Sequence, residues 1–274
     1  MPIQGIIMTD TIDVRRLQSG TLKLEVYPNS QAAGSAAARA VREALLLLKH
    51  STPRIGVIFA TGASQLSTLH ALTSTPDLPW DRVCGFHLDE YVGLPDDHPA
   101  SFRRYLRVNL TSLIPMREFY EIDGGHAELD LICQAYAEKI RSCSPRLCLL
   151  GIGENGHLAF NDPGEADFED PQEVKIVKLD QVCRQQQLAE GWFQNLEQVP
   201  ERAITLTIPT ILRVPKLIVS VPGPRKANIV RQMLAEPIST ACPATILRTH
   251  PDATVYLDDE SAAELKSVFA AHFA

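Results

Sequence analysis

The chain has 274 residues, of which 45% are hydrophobic and 22% charged, with a formal net charge of −7. That length fits one large α/β domain or two small ones and buries a substantial core. The acidic balance, with a pI near 5.6, argues against a general nucleic-acid binder but not against a small anionic substrate, since a few cations and backbone N–H groups hold a phosphate well enough.

The opening residues, MPIQGIIMTDTIDVRR, lack a basic start followed by a long apolar core, so no secretory leader is expected. No apolar run approaches the roughly 20 residues that a membrane helix needs. The six cysteines, at 84, 133, 143, 148, 183 and 242, form no CxxC pair and mostly sit in apolar runs. They read as reduced, buried thiols rather than a metal or disulfide framework. Together these features describe a soluble, cytoplasmic chain with no membrane and no nucleic-acid partner.

Strand-like and helix-like segments alternate along the chain. LKLEVYP (22–28) carries apolar residues at alternate positions, and Asn29 or Ser30 can then cap a helix whose face is Ala33, Ala37, Val41, Ala44 and Leu48. RIGVIFA (54–60), RVCGFHL (82–88), EFYEID (118–123) and PRLCLLG (145–151) are short apolar runs, as expected of strands covered on both faces. Between them SQLSTLHAL, SFRRYLRVNLTSLI and AELDLICQAYAEKI read as helices. VKIVKL, AITLTI, KLIVSV and TVYLDD are the later strands, with helices over KANIVRQMLAE and SAAELKSVFAAHF. The acidic stretch GEADFEDPQE (164–173) reads as a surface loop or lid. The alternation predicts one domain over 1–274: a doubly wound, mostly parallel β-sheet with helices on both faces, a Rossmann-like three-layer sandwich. Ligands in such folds sit beyond the carboxyl ends of the strands.

Four strand ends carry chemistry. In FATGASQ (59–65), Thr61 and Ser64 offer hydroxyls, Gly62 allows close backbone approach, and a new helix turns its N–H groups toward the same place. In FHLDEYVGLPDDHPASFRRYL (86–106) a strand runs straight into Asp89 and Glu90. Alternation sends one acid toward the crevice and the other toward the protein, and a partly desolvated carboxylate can take a proton from carbon beside a carbonyl. LPDDHPAS then supplies turn formers and a helix cap at Ser101. In CLLGIGENGHLAFNDPG (148–164) glycines surround His157, whose imidazole titrates near neutrality, with Asn155 and Asp162 placed to orient it. In SVPGPRKANIV (220–230) Arg225 and Lys226 stand at a helix start, where cations oppose the helix dipole unless an anion is bound. Arg184, in VCRQQQ, is a further isolated cation. Each of these also has a plainer reading, as a capped turn, a solvated loop acid or a surface charge.

LDEYVGLPDDHPASF (88–102) and GIGENGHLAFNDPG (151–164) resemble signature segments of the glucosamine-6-phosphate deaminases, also called isomerases. FATGASQ, VPERAITLTIPTIL, PGPRKA and CPATILRTHPDATVYLD extend the resemblance along nearly the whole chain. It implies conversion of glucosamine 6-phosphate and water to fructose 6-phosphate and ammonia, with no cofactor. Asp89 matches the enolisation base, His157 the ring-opening acid/base, Asp162 a position usually held by glutamate, and Asn155 a ring-opening position that is aspartate or asparagine. Gly62, Ala63, Ser64, Arg184 and Lys226 match phosphate contacts; Thr61 and Glu90 are expected at the substrate as well.

The chain departs from the family pattern at Ala63, which removes a hydroxyl from the phosphate loop, and at Asp162, one methylene shorter than glutamate. Pro209 in ITLTIPTIL is closer to 6-phosphogluconolactonases, a related family. The acidic 164–173 stretch would repel a phosphorylated effector, so no allosteric activation is expected. A lactone hydrolase and a non-catalytic sugar-phosphate sensor stand as alternatives. The choice of hexosamine and the oligomeric state, a homo-oligomer included, are left open.

Overall fold

The computed structural model describes residues 14–189 and 191–268. The leader expectation falls largely on residues 1–13, outside that range. The chain opens with β1 (Arg15–Ser19) and β2 (Leu22–Tyr27), an antiparallel pair. Helix α1 (Ser30–Leu48) starts at the Asn29 cap, whose side chain accepts from the Ala32 N–H at 2.9 Å. Then come β3 (Ile55–Phe59), α2 (Leu66–Thr73), β4 (Val83–His87), β5 (Asp89–Tyr91) and α3 (Phe102–Leu106). The helix expected over 101–114 is in fact α3 followed by a π-helical turn, Arg107–Thr111.

The middle of the chain supplies β6 (Glu118–Tyr120), α4 (Leu129–Cys143), β7 (Leu147–Leu150), β8 (Val174–Lys178), α5 (Gln181–Ala189) and β9 (Arg202–Leu206). The last elements are α6 (Ile208–Leu212), β10 (Lys216–Val221), α7 (Ala227–Ala235) and β11 (Ala253–Asp258). Pro209 sits in the first turn of α6, where its missing N–H is no loss. The expected C-terminal helix over 261–273 is replaced, as far as 268, by turns and a short 3₁₀ segment, Leu265–Ser267.

Eight strands form one sheet in the order β1-β2-β11-β10-β7-β3-β4-β6, parallel except for the β1–β2 edge. Both faces are buried, which is why these strands read as continuous apolar runs. Val57 and Phe59 of β3 pack with Ala37, Val41 and Leu45 of α1 on one face. Ile58 packs on the other, in a layer with Tyr136 and Ile140 of α4, Leu150 and Met233. From β3 the chain moves outward to β4 and β6, then returns to β3's other side with β7 before continuing to β10 and β11. The strand order therefore reverses between β3 and β7, the place where doubly wound sheets open a crevice.

A second sheet, β5-β9-β8, is antiparallel and has its own small core of Tyr91, Phe160, Cys183 and Phe193. β5 follows β4 after one residue, so Asp89 lies at the corner where the chain leaves the main sheet for the smaller one.

His87, the last residue of β4, is fully buried, and its Nε2 accepts the Ile122 N–H at 2.7 Å. Burial lowers its pKa to about 3, against about 6.5 for an exposed imidazole. The folded state thus holds His87 neutral while the unfolded chain takes up a proton below about pH 6.5. Stability must fall as pH drops from there toward 3, at up to about 1.4 kcal/mol per pH unit. Denaturant titrations of wild type and His87→Gln between pH 4 and 7 should show a shallower pH dependence in the variant.

Candidate active site

The loops that leave β3, β7 and β10, the start of β5, Asp258 at the end of β11 and Glu260 beyond it surround one cavity of about 640 Å³. It lies at the strand-order reversal. Thr61, Gly62, Ala63 and Ser64, together with Asp89, His157, Arg225 and Lys226, all line it, and the helix that follows the β3 loop touches β10 through Thr68 Oγ1, 3.2 Å from Ser220 Oγ. Gln186, Gln187 and Trp192 reach it from α5 and the turn beyond; no residue of 164–173 lines it. That stretch has no regular secondary structure, and Lys175 ties it down through Asp170 and the Glu165 carbonyl.

The β3 and β10 loops are built alike. Gly62 has φ 95°, ψ 170° and Gly223 has φ 95°, ψ 155°, a region that L side chains rarely enter. Each glycine leads through a 3₁₀ turn into a helix, α2 or α7, so each loop turns N–H groups toward the cavity. They differ in one respect. Both Asp258 carboxylate oxygens accept the Gly223 N–H at 3.0 Å; among the described residues no carboxylate caps Gly62, whose carbonyl takes the Tyr105 hydroxyl at 2.8 Å. Lys226 Nζ donates to the Ile152 carbonyl at 2.7 Å, and Arg225 Nε lies 3.3 Å from Glu154. The cations are thereby held across the β7 loop, at the cavity's edge.

Asp89 is only 6% exposed. Burial first, then the charges of Glu90 and Asp162, hold its carboxyl well above the usual carboxylate range. Glu90 faces away, as alternation along β5 requires. It is fully buried and accepts from the Tyr91, Phe102 and Arg103 N–H groups, the Ser101 hydroxyl and Arg103 Nε, at 2.9–3.2 Å. Burial pushes its carboxyl up, while those N–H groups and Arg103 oppose the push. The structure therefore makes Glu90 the anion that closes the N-terminus of α3, and it does not line the cavity.

His157 lies flat against Gly153: a Cβ at 153 would come within 2.2–2.4 Å of three ring atoms. Its Nδ1 is 2.9 Å from Asp162 Oδ1, which leaves Nε2 as the nitrogen for a ligand. Asp162 is fully buried behind the ring. Burial acts to raise its pKa, but the contact with His157 and the Asn155 amide prevail, and the carboxyl lies below its ordinary range. Asn155 donates to Asp162 Oδ1 at 2.8 Å and accepts the His157 N–H at 3.1 Å. An aspartate at 155 would lose that donor and set two carboxylates together. Asn155 and Asp162 thus support the imidazole and do not face the cavity. Asn161 donates to the Leu158 and Leu206 carbonyls, both at 2.8 Å, pinning the loop to β9.

Arg184 does not reach the cavity. Its guanidinium donates to the Leu196 and Val199 carbonyls at 2.7 and 2.9 Å, bracing the chain between α5 and β9. Sequence reasoning missed Gln186, Gln187 and Trp192, which no pattern marked, and Asp258, whose place at a strand end three residues before Ser261 was a usable signal. Ser261 N–H in fact donates to Asp258 at 2.8 Å.

A doubly wound sheet, with a desolvated carboxylate and an imidazole in one crevice at its switch point, is the arrangement of an α/β enzyme that moves protons on a bound small molecule. The chain belongs to the family of glucosamine-6-phosphate isomerases and 6-phosphogluconolactonases, which it matches over residues 28–256. Glucosamine-6-phosphate deaminases of Bacillus thuringiensis (strain Al Hakam) and Bacillus cereus (strain AH820) are each 37% identical to it over 210 residues, 76% of this chain and 77% of theirs. A solved monomeric glucosamine-6-phosphate deaminase aligns with TM-score 0.81 and 29% identity, covering 88% of this chain and 99% of that one. The 6-phosphogluconolactonase of Trypanosoma brucei aligns with TM-score 0.74 and 20% identity over 92% and 100% of the two chains, a likeness of fold alone. Among the described residues no helix is long and apolar enough to cross a membrane.

Two substitutions probe this arrangement. Glu90→Ala strips the N-terminus of α3 and leaves Arg103, whose side chain is 7% exposed, with Asp123 as its remaining carboxylate; a loss of about 3–5 kcal/mol is expected in chemical denaturation. Gly153→Ala drives the imidazole out of place. Turnover should fall about 10²-fold, because a displacement near 1 Å has that effect, with a much smaller change in Tm.

Proposed function

We propose that this chain deaminates and isomerises glucosamine 6-phosphate, giving fructose 6-phosphate and ammonia. The observation that carries this reading is that Asp89 and His157 line the same cavity as the Gly62–Ser64 loop and Lys226. The phosphate lies against the N–H groups of that loop, with the Ser64 hydroxyl and Lys226 as further donors. The family resemblance also matches Arg184 to the phosphate, but its guanidinium is committed to two backbone carbonyls. The direct cationic contact is therefore assigned to Lys226, which lines the cavity where Arg184 does not.

His157 Nε2 takes the proton from the C1 hydroxyl and returns one to the ring oxygen, opening the pyranose. The adjacent Asp162 carboxylate steadies the imidazolium formed in between. Asp89 then removes the C2 proton to give an enolamine and delivers a proton to C1. The resulting C2 imine adds water and releases ammonia. Asp89 suits this step because desolvation and two neighbouring carboxylates make it a stronger base than an exposed aspartate. The same negative surroundings favour a substrate carrying a C2 ammonium over a neutral lactone. The shared fold alone would equally allow a 6-phosphogluconolactonase, since one fold hosts many chemistries.

Asp89→Asn should lower ammonia release from glucosamine 6-phosphate by about 10²–10⁴-fold. Because the folded state raises this pKa, ionised Asp89 destabilises the ligand-free protein at neutral pH, so the variant should also melt at a higher temperature. In wild type, kcat/KM should decline on the acid side with a midpoint above the ordinary aspartate value of about 3.9. Product formed in deuterium oxide should carry deuterium at C1. Near-normal turnover by Asp89→Asn, or hydrolysis of 6-phosphogluconolactone in preference to ammonia release, would overturn the reading.

A further inference from the structure

Behind the imidazole three donor atoms of different kinds converge. His157 Nδ1, an Asp162 carboxylate oxygen and Cys183 Sγ all lie within 4.8 Å of one another. They come from separate parts of the chain, the β7 loop and α5. Asp162 and Cys183 are both fully buried. Asp162 Oδ2 has no N–H or O–H partner, the Cys183 thiol hydrogen-bonds to the Asp162 carboxylate, and His157 Nδ1 lies 2.9 Å from Asp162 Oδ1. The three donors thus already touch one another, beside the buried carboxyl of Asp89.

We propose that His157, Asp162 and Cys183 form a binding site for a thiophilic divalent cation such as Zn²⁺, and that occupying it silences the enzyme. The ligand set of one imidazole nitrogen, one carboxylate oxygen and one sulfur suits zinc; magnesium and calcium take oxygen alone. Zn–S bonds of about 2.3 Å and Zn–N or Zn–O bonds of about 2.0–2.1 Å fit donors separated by about 3.3–3.6 Å. The site thus forms when the 2.9 Å gap between His157 and Asp162 widens by about half an ångström. His157 is 12% exposed at its side chain and gives the ion a route from the cavity. On binding, the Cys183 S–H bond breaks, its proton passes to solvent, and an S–metal bond forms. Nδ1 donates its lone pair to the ion, which confines the ring proton to Nε2. The imidazole then has no free lone pair with which to accept a proton from a sugar hydroxyl. This silencing rests on the role proposed for His157; the site itself does not.

Metal-free protein titrated with Co²⁺ tests the site, because a thiolate ligand gives cobalt a near-ultraviolet charge-transfer band. Wild type should develop that band with one equivalent of Co²⁺ and lose it when Zn²⁺ is added. Cys183→Ala should show no such band, and Cys183→Ser, which keeps the size of the side chain, none either. In parallel, ammonia release is measured against Zn²⁺ concentration, each protein relative to its own metal-free rate. The concentration for half-inhibition should rise by about tenfold or more in both variants, and EDTA should restore wild-type turnover. A wild-type chain without the one-equivalent band, or an undiminished band in Cys183→Ala pointing to another cysteine, overturns the proposal. A Cys183-dependent band in a chain that releases no ammonia would leave the metal site standing and remove the deaminase reading instead.

Discussion

Three buried carboxylates meet at the corner where β4 gives way to β5, and the site is organised by how differently each is compensated. Glu90 is surrounded by backbone N–H groups, a hydroxyl and Arg103. Asp162 has an imidazole on one side and an amide on the other. Asp89, between them, receives repulsion from both and little in return. Removing a carboxylate from water without a partner is expensive, so the fold tolerates it only where something is gained. The gain is basicity. Neighbouring acids in contrasting surroundings, driven apart in proton affinity, are the ordinary means by which one crevice holds both a base and an acid.

This contrast depends on topology more than on any single contact. Reversal of strand order between β3 and β7 opens the sheet there, and the two strands share only a short pairing, Val57 with Leu147 and Ile58 with Cys148. The small β5-β9-β8 sheet then closes over one side and turns the chain so that successive residues, 89 and 90, face opposite ways. Asn161 fastens the imidazole loop to that sheet, so the two halves of the site are positioned by one framework. The oxygen of Glu90 that holds α3 and the oxygen of Asp89 that faces the cavity are thus parts of a single mechanical arrangement.

Much of this was legible in the sequence. Runs such as RIGVIFA and KLIVSV announced doubly covered strands, and the rule that function gathers after strand ends located all four loops. β1 escaped notice because RRLQS, an edge strand, holds one leucine among polar residues. β5 escaped because DEY is three residues long and reads as loop. Alternation foretold that one of Asp89 and Glu90 would face inward to the protein, but not that Ser101 and Arg103 waited there, since those lie beyond an intervening turn. Arg184 was the clearest divergence. A lone arginine carries no directional signal, and its partners are the carbonyls of Leu196 and Val199, fixed by a loop whose path depends on tertiary packing. Cys183 looked like one more core thiol; its nearness to His157 and Asp162 exists only in three dimensions.

The unequal treatment of the two glycine loops has a consequence for how a ligand is oriented. In backbone shape they are near copies, and both line the same cavity. Asp258 already takes the Gly223 amide with both carboxylate oxygens, so that N–H is engaged inside the protein. An incoming anion is thus offered backbone donors at the first cradle and a carboxylate at the second, which decides where its charge can rest.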